Sequence, residues 1–253
     1  MREGKDLTKA AYTARITVIL KKILVNLIPI KNLRRYVCSR VLWNNEIIVI
    51  KNNTPRKLCF WQRIKGLKID IDGKNNTIIV KFPVKLRKSK IKIEQSDNTV
   101  TRIEARKLSN VFIVYSKGHD SICEIKEETG IAGAYFRIGE RNTGIVIGKD
   151  CMFSRDILIR SSDTHSILDK DTNEILNFPK DIVRIGNHCW IGQNAVINKN
   201  AKLPDNTIVG TFAVVTKPFT EEYTALAGNP AKVVKKNVAW DRQSIHEYKE
   251  KQF

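Results

Sequence analysis

Aliphatic residues recur at every sixth position in the C-terminal half of the chain. They are Ile185, Ile191, Ile197, Leu203, Val209 and Val215. A helix repeats its apolar face about every 3.6 residues and a half-buried strand at every second residue, so neither element explains this spacing. The pattern instead predicts short strands that are joined by regular corners.

A second row of small side chains has the same period. Its members follow each aliphatic residue by four positions and are Cys189, Ala195, Ala201, Thr207 and Ala213. Gly, Asn and Asp, which tolerate tight turns, lie between the two rows. Three such strands in each coil predict a parallel β-solenoid with the aliphatic side chains inside it.

The repeat is interrupted once. The same phase occurs earlier, at Ile147, Phe153 and Ile159, but Ile185 follows Ile159 by 26 residues, which is not a multiple of six. The sequence therefore predicts an extended loop over residues 160–184. A long excursion from a regular solenoid gives up packing, which favours a functional role.

The pattern of residue types along the sequence divides the chain into three regions. Residues 1–66 are predicted to be basic and helical, and residues 67–227 to form the β-solenoid. Within the solenoid, residues 67–144 are interpreted as irregular coils, with a separate small sheet as the alternative, and residues 145–219 as regular coils. The tail, residues 228–253, is predicted to end as a helix.

Positive charge is concentrated near the N-terminus. The chain of 253 residues has 45 Lys and Arg against 26 Asp and Glu, and residues 1–92 hold 23 of the basic but 5 of the acidic side chains. Such a surface attracts an anionic partner. No helix-turn-helix, zinc finger or aromatic stacking platform accompanies the basic run at residues 81–93, so we expect an acidic polysaccharide rather than nucleic acid.

Cysteine usage fits a reducing compartment. The five cysteines include no CxxC pair, and the repeat already explains Cys151 and Cys189 as small inward residues. Three convergent histidines are not apparent, so no metal is expected. These features predict a cytoplasmic protein.

Residues 15–40 combine an amphipathic pattern with a basic flank. The apolar run is interrupted by Lys21 and Lys22, and it is too short for a bilayer crossing of about 20 apolar residues. Contact with an anionic membrane face and packing against protein both remain open.

The predicted loop contains a pair of residues suited to proton transfer. Asp163 lies two positions before His165. An imidazole can take a proton from a hydroxyl and return it to a leaving group, while a carboxylate orients the ring and stabilises its charged form.

Four segments resemble the hexapeptide-repeat acyltransferases. They are SSDTHSI at 161–167, IGNHCWIGQNAVI at 185–197, VVTK at 214–217 and AGNPAKVV at 227–234. The likeness spans about residues 67–240 and is greatest to O-acetyltransferases of bacterial surface glycans, including sialic-acid capsules. It implies a left-handed parallel β-helix, a homotrimer and acetyl-CoA as cosubstrate.

The resemblance also assigns residues. It implies that His165 is the general base, supported by Asp163, and that Trp190 shapes the acceptor pocket, in an active site between subunits. It places the pantetheine arm of CoA along Gly210, Thr211 and Ala213. The residues implied for the phosphates and adenine are Lys217, Lys232 and Pro230.

We therefore predict a cytoplasmic, acetyl-CoA-dependent O-acetyltransferase for an anionic surface glycan or its precursor, with contact at the inner face of the membrane left open. An N-acetyltransferase for an amino-sugar nucleotide is the alternative among enzymes, but no GxGxxG element precedes the solenoid. A non-catalytic scaffold is the alternative outside them, and the loop with Asp163 and His165 argues against it.

Overall fold

The structure, a computed structural model, describes residues 44–59 and 62–250. Most of the predicted basic helical region, including the segment proposed to contact a membrane, lies outside these residues.

Twenty-three strands and one short helix, α1 (Ile245–Glu250), follow one another along the described chain. The strands are β1 (Glu46–Lys51), β2 (Thr54–Lys57), β3 (Leu67–Asp72), β4 (Thr77–Lys81), β5 (Lys85–Arg87), β6 (Ser89–Glu94), β7 (Val100–Ile103), β8 (Lys107–Ser109), β9 (Val111–Ser116), β10 (Ile122–Ile125), β11 (Gly130–Ile131), β12 (Ala134–Gly139), β13 (Gly144–Ile147), β14 (Met152–Phe153), β15 (Ile157–Arg160), β16 (Val183–Ile185), β17 (Trp190–Ile191), β18 (Val196–Ile197), β19 (Lys202–Leu203), β20 (Ile208–Val209), β21 (Val214–Val215), β22 (Thr224–Ala227) and β23 (Lys232–Lys236).

Every third strand belongs to the same sheet, so the chain winds around three flat walls. Sheet I has the order β19-β16-β13-β10-β7-β4-β1-β2, sheet II the order β23-β22-β20-β17-β14-β11-β8-β5, and sheet III the order β21-β18-β15-β12-β9-β6-β3. Neighbours pair in parallel except at two ends, where β2 folds back on β1 and β23 on β22. The predicted all-β solenoid, a left-handed parallel β-helix, is confirmed.

Aliphatic and aromatic side chains stack inside the solenoid from coil to coil. In sheet II the inward row passes in register through Leu108, Ile131, Phe153, Ile191 and Val209, and each is almost fully buried. The predicted small inward residues are buried as well, among them Cys151, Cys189, Ala195, Ala201 and Ala213. The period of six thus arises because each wall supplies one inward aliphatic residue per coil.

The corners use a left-handed backbone conformation. Asn194, Asn200 and Asn206 have φ values of 57°, 64° and 60° and recur at the same corner phase. Asparagine adopts this conformation more readily than most residues. His188 and Phe212 occupy the same phase, with φ values of 51° and 59°.

The irregular strand-rich segment belongs to the same solenoid, and the alternative of a separate sheet is wrong. Strands β3 to β12 each continue one of the three walls. The solenoid also begins before residue 67, because β1 pairs in parallel with β4. Residues 46–57, part of the region predicted to be helical, are strands, since the β-branched run Ile47–Ile50 stacks on the next coil.

The tail folds back on the solenoid before it ends. After β23 it crosses to the corner between sheets I and II, and α1 then begins after Ser244. The Ser244 hydroxyl and backbone N–H both donate to a Glu247 carboxylate oxygen at 2.8 Å, a capping arrangement that explains the start of the helix. The predicted C-terminal helix is confirmed.

Candidate active site

The predicted loop is an ordered arm, residues 161–182, between β15 and β16. Its two limbs pair through an antiparallel bridge between Leu168 and Ile175. The Asp169 N–H donates to the Glu174 carbonyl oxygen at 2.8 Å across the same hairpin. The arm therefore has an internal backbone structure that can hold a side chain in a fixed position.

One asparagine fixes the base of the arm next to His165. The Asn177 Nδ2 donates to the Asp163 Oδ2 and to the His165 carbonyl oxygen, both at 2.9 Å. Its Oδ1 accepts from the Ile167 N–H at 2.8 Å. Lys199, from the next coil, forms an ion pair with Asp163. The backbone that carries His165 is thereby tied to the solenoid wall.

The contacts of Asp163 differ from the sequence prediction. Its carboxylate binds Lys199 and Asn177, and no hydrogen bond joins it to the His165 ring. Partial burial opposes ionisation of Asp163, but the hydrogen bonds from Lys199 and Asn177 outweigh it and hold the pKa of the carboxyl below its usual value. Within the chain, Asp163 therefore positions the arm rather than the imidazole.

The His165 imidazole is exposed and makes no hydrogen bond to any residue that the structure describes. Its ring nitrogens are consequently available to an external group. A fixed backbone with a free imidazole suits a residue that exchanges protons with a ligand.

The rest of the arm carries large apolar side chains that are exposed. The exposed fractions are 57% for Ile167, 49% for Leu168, 54% for Ile175, 60% for Leu176 and 61% for Phe178. So many large apolar side chains on one short hairpin exceed the scattered exposure of an ordinary surface. The arm presents a face that is suited to packing against another surface.

Trp190 stands on the outer face of sheet II. Its strand partners on either side are Met152 and Ile208, and 39% of its surface is exposed. Trp190 directly precedes the inward Ile191 of the repeat, and this phase directs its side chain outward. The Trp240 ring, from the tail, lies 6.3 Å away with the two planes inclined by 47°.

A cluster that sequence reasoning missed lies beside Trp190. The rings of His188 and Trp240 are stacked with centroids 4.3 Å apart, and the Trp240 indole N–H donates to the His188 carbonyl oxygen at 2.8 Å. The His188 Nδ1 lies 2.7 Å from the Asp150 Oδ2. His188 and Trp240 are 52 residues apart in sequence, and no local pattern predicts their contact.

Arg242 completes the cluster. Its Nε and Nη2 donate to the Asp150 Oδ1 at 3.0 and 2.7 Å, and its guanidinium lies 5.4 Å from the centre of the Trp240 ring. Partial burial by itself raises the pKa of Asp150, but Arg242 and His188 overcome this and lower it. The cluster anchors the tail against the wall that carries Trp190.

His165 and Trp190 lie on different parts of the coil. The arm leaves the end of sheet III and returns to sheet I, whereas Trp190 belongs to sheet II. The fold therefore exposes both predicted site residues but places them on separate walls of one chain.

Several residues predicted to bind CoA meet at the corner between sheets II and III. The Gly210 N–H donates to the Leu226 carbonyl oxygen and the Val214 N–H to the Gly228 carbonyl oxygen, which stacks the segment of Pro230 onto this corner. Thr211 is exposed, and neither of its backbone groups has a partner among the described residues. Ala213 is fully buried, and its N–H and carbonyl oxygen are bonded to Gly210 and Val196 within the solenoid.

The two predicted phosphate-binding lysines are exposed and belong to different walls. Lys232 is the first residue of β23 in sheet II, opposite Ala227. Lys217 follows sheet III, at the corner from which the arm projects two coils earlier, with its Nζ 5.8 Å from the centre of the Phe219 ring. Of this pair, Lys232 lies two positions after Pro230, and the roles of both lysines stay predictions.

Phe212 is a second residue that sequence reasoning missed. It is 68% exposed, and its φ of 59° is unfavourable for a bulky side chain. It stands between Thr211 and Ala213, where the regular repeat places asparagine. Backbone strain of this kind is concentrated at functional sites.

Among the described residues, no group of three His, Cys, Asp or Glu side chains is arranged to hold a metal ion. The same part of the chain contains no helix long and apolar enough to cross a bilayer.

Comparison with known proteins identifies the family. The profile of the family described as bacterial transferase hexapeptide (six repeats) matches residues 182–217. A polysialic acid O-acetyltransferase of Neisseria meningitidis is 34% identical over 179 residues, which cover 71% of this chain and 81% of that protein. A polysialic acid O-acetyltransferase of Escherichia coli O1:K1 is 37% identical over 130 residues, 51% of this chain and 41% of that protein.

Solved structures agree with this fold. The crystal structure of the polysialic acid O-acetyltransferase OatWY superimposes with a TM-score of 0.64 at 30% identity, covering 83% of this chain and 94% of that one. The polySia-specific acetyltransferase NeuO, at 22% identity and a TM-score of 0.56, shares the fold.

The wound parallel sheets and these relatives together define an acyltransferase built on a left-handed β-helix. The chain belongs to the hexapeptide-repeat acyltransferase family, among the relatives of the polysialic acid O-acetyltransferases.

Proposed function

We propose that this acyltransferase moves an acetyl group from acetyl-CoA to a hydroxyl of a sialic-acid polymer, with His165 as general base. The names of its relatives in Neisseria meningitidis and Escherichia coli support the acceptor and the reaction. The excess of basic over acidic side chains, +19 overall, suits an acceptor with a carboxylate on each sugar.

The observation that carries the proposal is that His165 combines a fixed backbone with a free, exposed imidazole ring. Its backbone is fixed through Asn177, its ring is exposed, and no described residue occupies its nitrogens. In this proposal a ring nitrogen takes the proton of the sugar hydroxyl while the hydroxyl oxygen attacks the thioester carbonyl. The resulting imidazolium gives the proton to the departing CoA sulfur, so that the ring ends the cycle neutral.

Trp190 shapes the pocket for the acetyl group and the sugar. Its exposed ring offers an apolar face and an indole N–H, which suits a ligand with both apolar and polar parts. Aligning the two substrates in one groove removes their orientational freedom and supplies much of the rate, so no covalent enzyme intermediate is required.

The site is assembled between copies of the chain. The apolar side chains of the arm are exposed in the described part of the chain, and His165 and Trp190 stand on separate walls. In a homotrimer the arm of one subunit packs against the next and brings its His165 to the neighbour's Trp190. Substituting Leu176→Asp is expected to shift the trimer to monomer in light scattering and to abolish transfer.

CoA lies along the corner between sheets II and III. The free backbone groups of Thr211 suit the amides of the pantetheine arm, with Gly210 beside them, while the buried Ala213 supports this corner from inside. Pro230 flanks the adenine, and Lys217 and Lys232 neutralise phosphate charge. The location that we propose is the cytoplasm, where acetyl-CoA is available, at the inner face of the membrane, with residues 15–40 contacting anionic lipid.

Acetyl transfer to polysialic acid tests the function directly. The wild-type chain is incubated with acetyl-CoA and the polymer, and the polymer is examined by mass spectrometry for added acetyl groups. His165→Ala is expected to reduce kcat by about 10²- to 10⁴-fold, the usual contribution of a general base, while the Kd for CoA stays unchanged. Unaltered turnover of His165→Ala would remove this residue from the mechanism, and absence of any acetylated sugar with the wild type would refute the function.

A further inference from the structure

The outer face of sheet II carries one continuous row of side chains that includes Trp190. Successive strands place Lys85 beside Lys107, Lys107 beside Gly130, Gly130 beside Met152 and Met152 beside Trp190. The row therefore leads from the proposed acceptor pocket toward the N-terminal coils without leaving the wall.

Four cationic side chains populate the N-terminal part of this face. Lys85, Arg87, Arg106 and Lys107 are all exposed, and we call them the cationic track. Arg106 extends the track toward Trp190, because its Nη2 lies 3.1 Å from the point that a β-carbon on Gly130 would occupy. The missing side chain of Gly130 thus leaves room for a guanidinium on the outer face.

The cationic track has no acidic partners among residues 44–59 and 62–250. None of its four side chains forms an ion pair there. On the other two walls of the same coils, several cationic side chains do have acidic partners. Those pairs include Lys81 with Glu104 at 3.6 Å, Arg102 with Glu124 at 3.7 Å and Lys90 with Asp70 at 3.4 Å.

Sheet I also carries cations without an ion pair among the described residues, such as Lys51 and Arg56, but the four of the cationic track lie together on the wall that carries Trp190. Basic residues are plentiful throughout residues 44–107, so their number alone does not distinguish the walls. What distinguishes the cationic track is that its four unpaired cations lie on the wall of Trp190, with Lys85 and Lys107 in register with that residue. A general role in solubility gives no reason for this placement.

The length of the row fits a polymer. Neighbouring strands lie about 4.8 Å apart, so the Lys107 backbone is roughly 14 Å and the Lys85 backbone roughly 19 Å from that of Trp190. One sugar in the acceptor pocket does not span such a distance, whereas later sugars of the same chain do. Several weak, exposed charge contacts then add to hold the polymer.

We propose that the cationic track binds carboxylate groups of the acceptor polysaccharide several sugars away from the one that is acetylated. The proposal rests on the function proposed above and adds a second binding region to it. Its consequence is a preference for long acceptors, because a short oligosaccharide fills the pocket at Trp190 but does not reach Lys107 and Lys85.

The test compares acceptors of different length. Lys85→Gln/Lys107→Gln removes two charges from the track and leaves the inward residues untouched. Its matched control, Lys117→Gln/Lys126→Gln, removes the same charge near sheet I, from lysines that likewise lack an ion pair among the described residues. We expect the track variant to raise KM for the long polymer about fivefold to tenfold at low salt and to leave kcat unchanged. The KM for a short oligosaccharide and for acetyl-CoA stays within about twofold of the wild type.

Three results overturn the proposal. One is an equal rise in KM for short and long acceptors, and another is a rise in KM for acetyl-CoA, which assigns the lysines to CoA phosphates. The third is an equal effect in the control variant, which assigns it to overall charge.

Affinity electrophoresis through gels that contain the polymer separates this proposal from the proposed function, because it needs no turnover. Retardation of the wild type that is lost only in the track variant supports the cationic track even in a chain that transfers no acetyl group. Wild-type migration that the polymer does not alter contradicts the track. Equal or stronger retardation by single-stranded DNA of similar charge contradicts the assignment to a polysaccharide.

Discussion

The Trp240 indole stacks on the His188 imidazole at 4.3 Å and donates a hydrogen bond to the carbonyl oxygen of the same residue. One aromatic residue thereby attaches the tail to a corner of the solenoid. We expect Trp240→Ala to release the tail while leaving the coils folded, with a loss of about 3 kcal/mol in the free energy of opening this segment. Hydrogen exchange across residues 237–244 measures this. Trp190→Ala is the control, and a similar loss of protection in that variant would contradict an anchoring role specific to Trp240.

Acid is expected to loosen the same attachment. The pKa of Asp150 in the folded chain lies below its ordinary value, so its contacts with Arg242 and His188 stabilise the tail fully above a pH of about 4–5. This stability is lost as the pH falls through the lowered pKa. Exchange protection of residues 237–244, corrected for intrinsic rates, should therefore decline at acid pH. Asp150→Asn should remove the acid dependence, and an unchanged pH profile in that variant would assign it to another group.

The arm is expected to act as a positioning device. Asn177→Ala removes the hydrogen bonds to Asp163 and to the His165 carbonyl oxygen. Misplacement of a catalytic group by about 1 Å reduces rates by roughly 10²-fold, so we expect a loss of that order in kcat with little change in the KM for acetyl-CoA. Lys170→Ala, at the exposed tip of the same arm, is the control and should retain wild-type turnover.

Phe212 is expected to trade stability for ligand binding. Asparagine tolerates the left-handed backbone that Phe212 adopts, so Phe212→Asn should raise the free energy of unfolding by about 1 kcal/mol. Loss of the exposed ring next to Thr211 should at the same time weaken acetyl-CoA binding. Chemical denaturation and calorimetric titration measure the two effects, and a variant that gains stability with unaltered affinity would assign the ring to a subunit contact instead.

Close packing at one corner predicts a sharp difference between two glycines. A β-carbon on Gly192 would lie 2.7 Å from the Thr211 nitrogen, whereas one on Gly133 would meet nothing nearer than 3.5 Å. Gly192→Ala should therefore lower the free energy of unfolding by about 1–3 kcal/mol. Gly133→Ala should change it by less than about 0.5 kcal/mol, and equal effects in denaturant titrations would refute this account of the corner.

The solenoid was predictable because its period is local. Each coil places an aliphatic residue, such as Ile191 or Val209, at the same inward position. The spacing of these residues in the sequence therefore gives the length of each wall directly. The start of the solenoid was not predictable in this way. In β1 the whole run Ile47–Ile50 is apolar, and a continuous apolar run does not distinguish a strand from a helix.

The site was predictable only in part, for a related reason. The break in the six-residue repeat located the arm. The outward position of Trp190 followed from its phase in the same repeat. The partner of Asp163 depends on Lys199, which lies one coil further along, and the anchor at His188 depends on Trp240 from the tail. Contacts between residues that are tens of positions apart do not produce a periodic pattern in the sequence, so the sequence does not predict them.

A spiral of flat strands has an inherent hazard, since an uncovered last rung is a template on which another molecule can add itself and begin a fibre. Strands β2 and β23 address this on two of the three walls by turning back antiparallel, and both are fully exposed and carry Pro55 or lysines such as Lys235. Proline and lysine discourage further strand pairing. These two hairpins therefore act as end stops, which keep a structure built for indefinite stacking at a finite length.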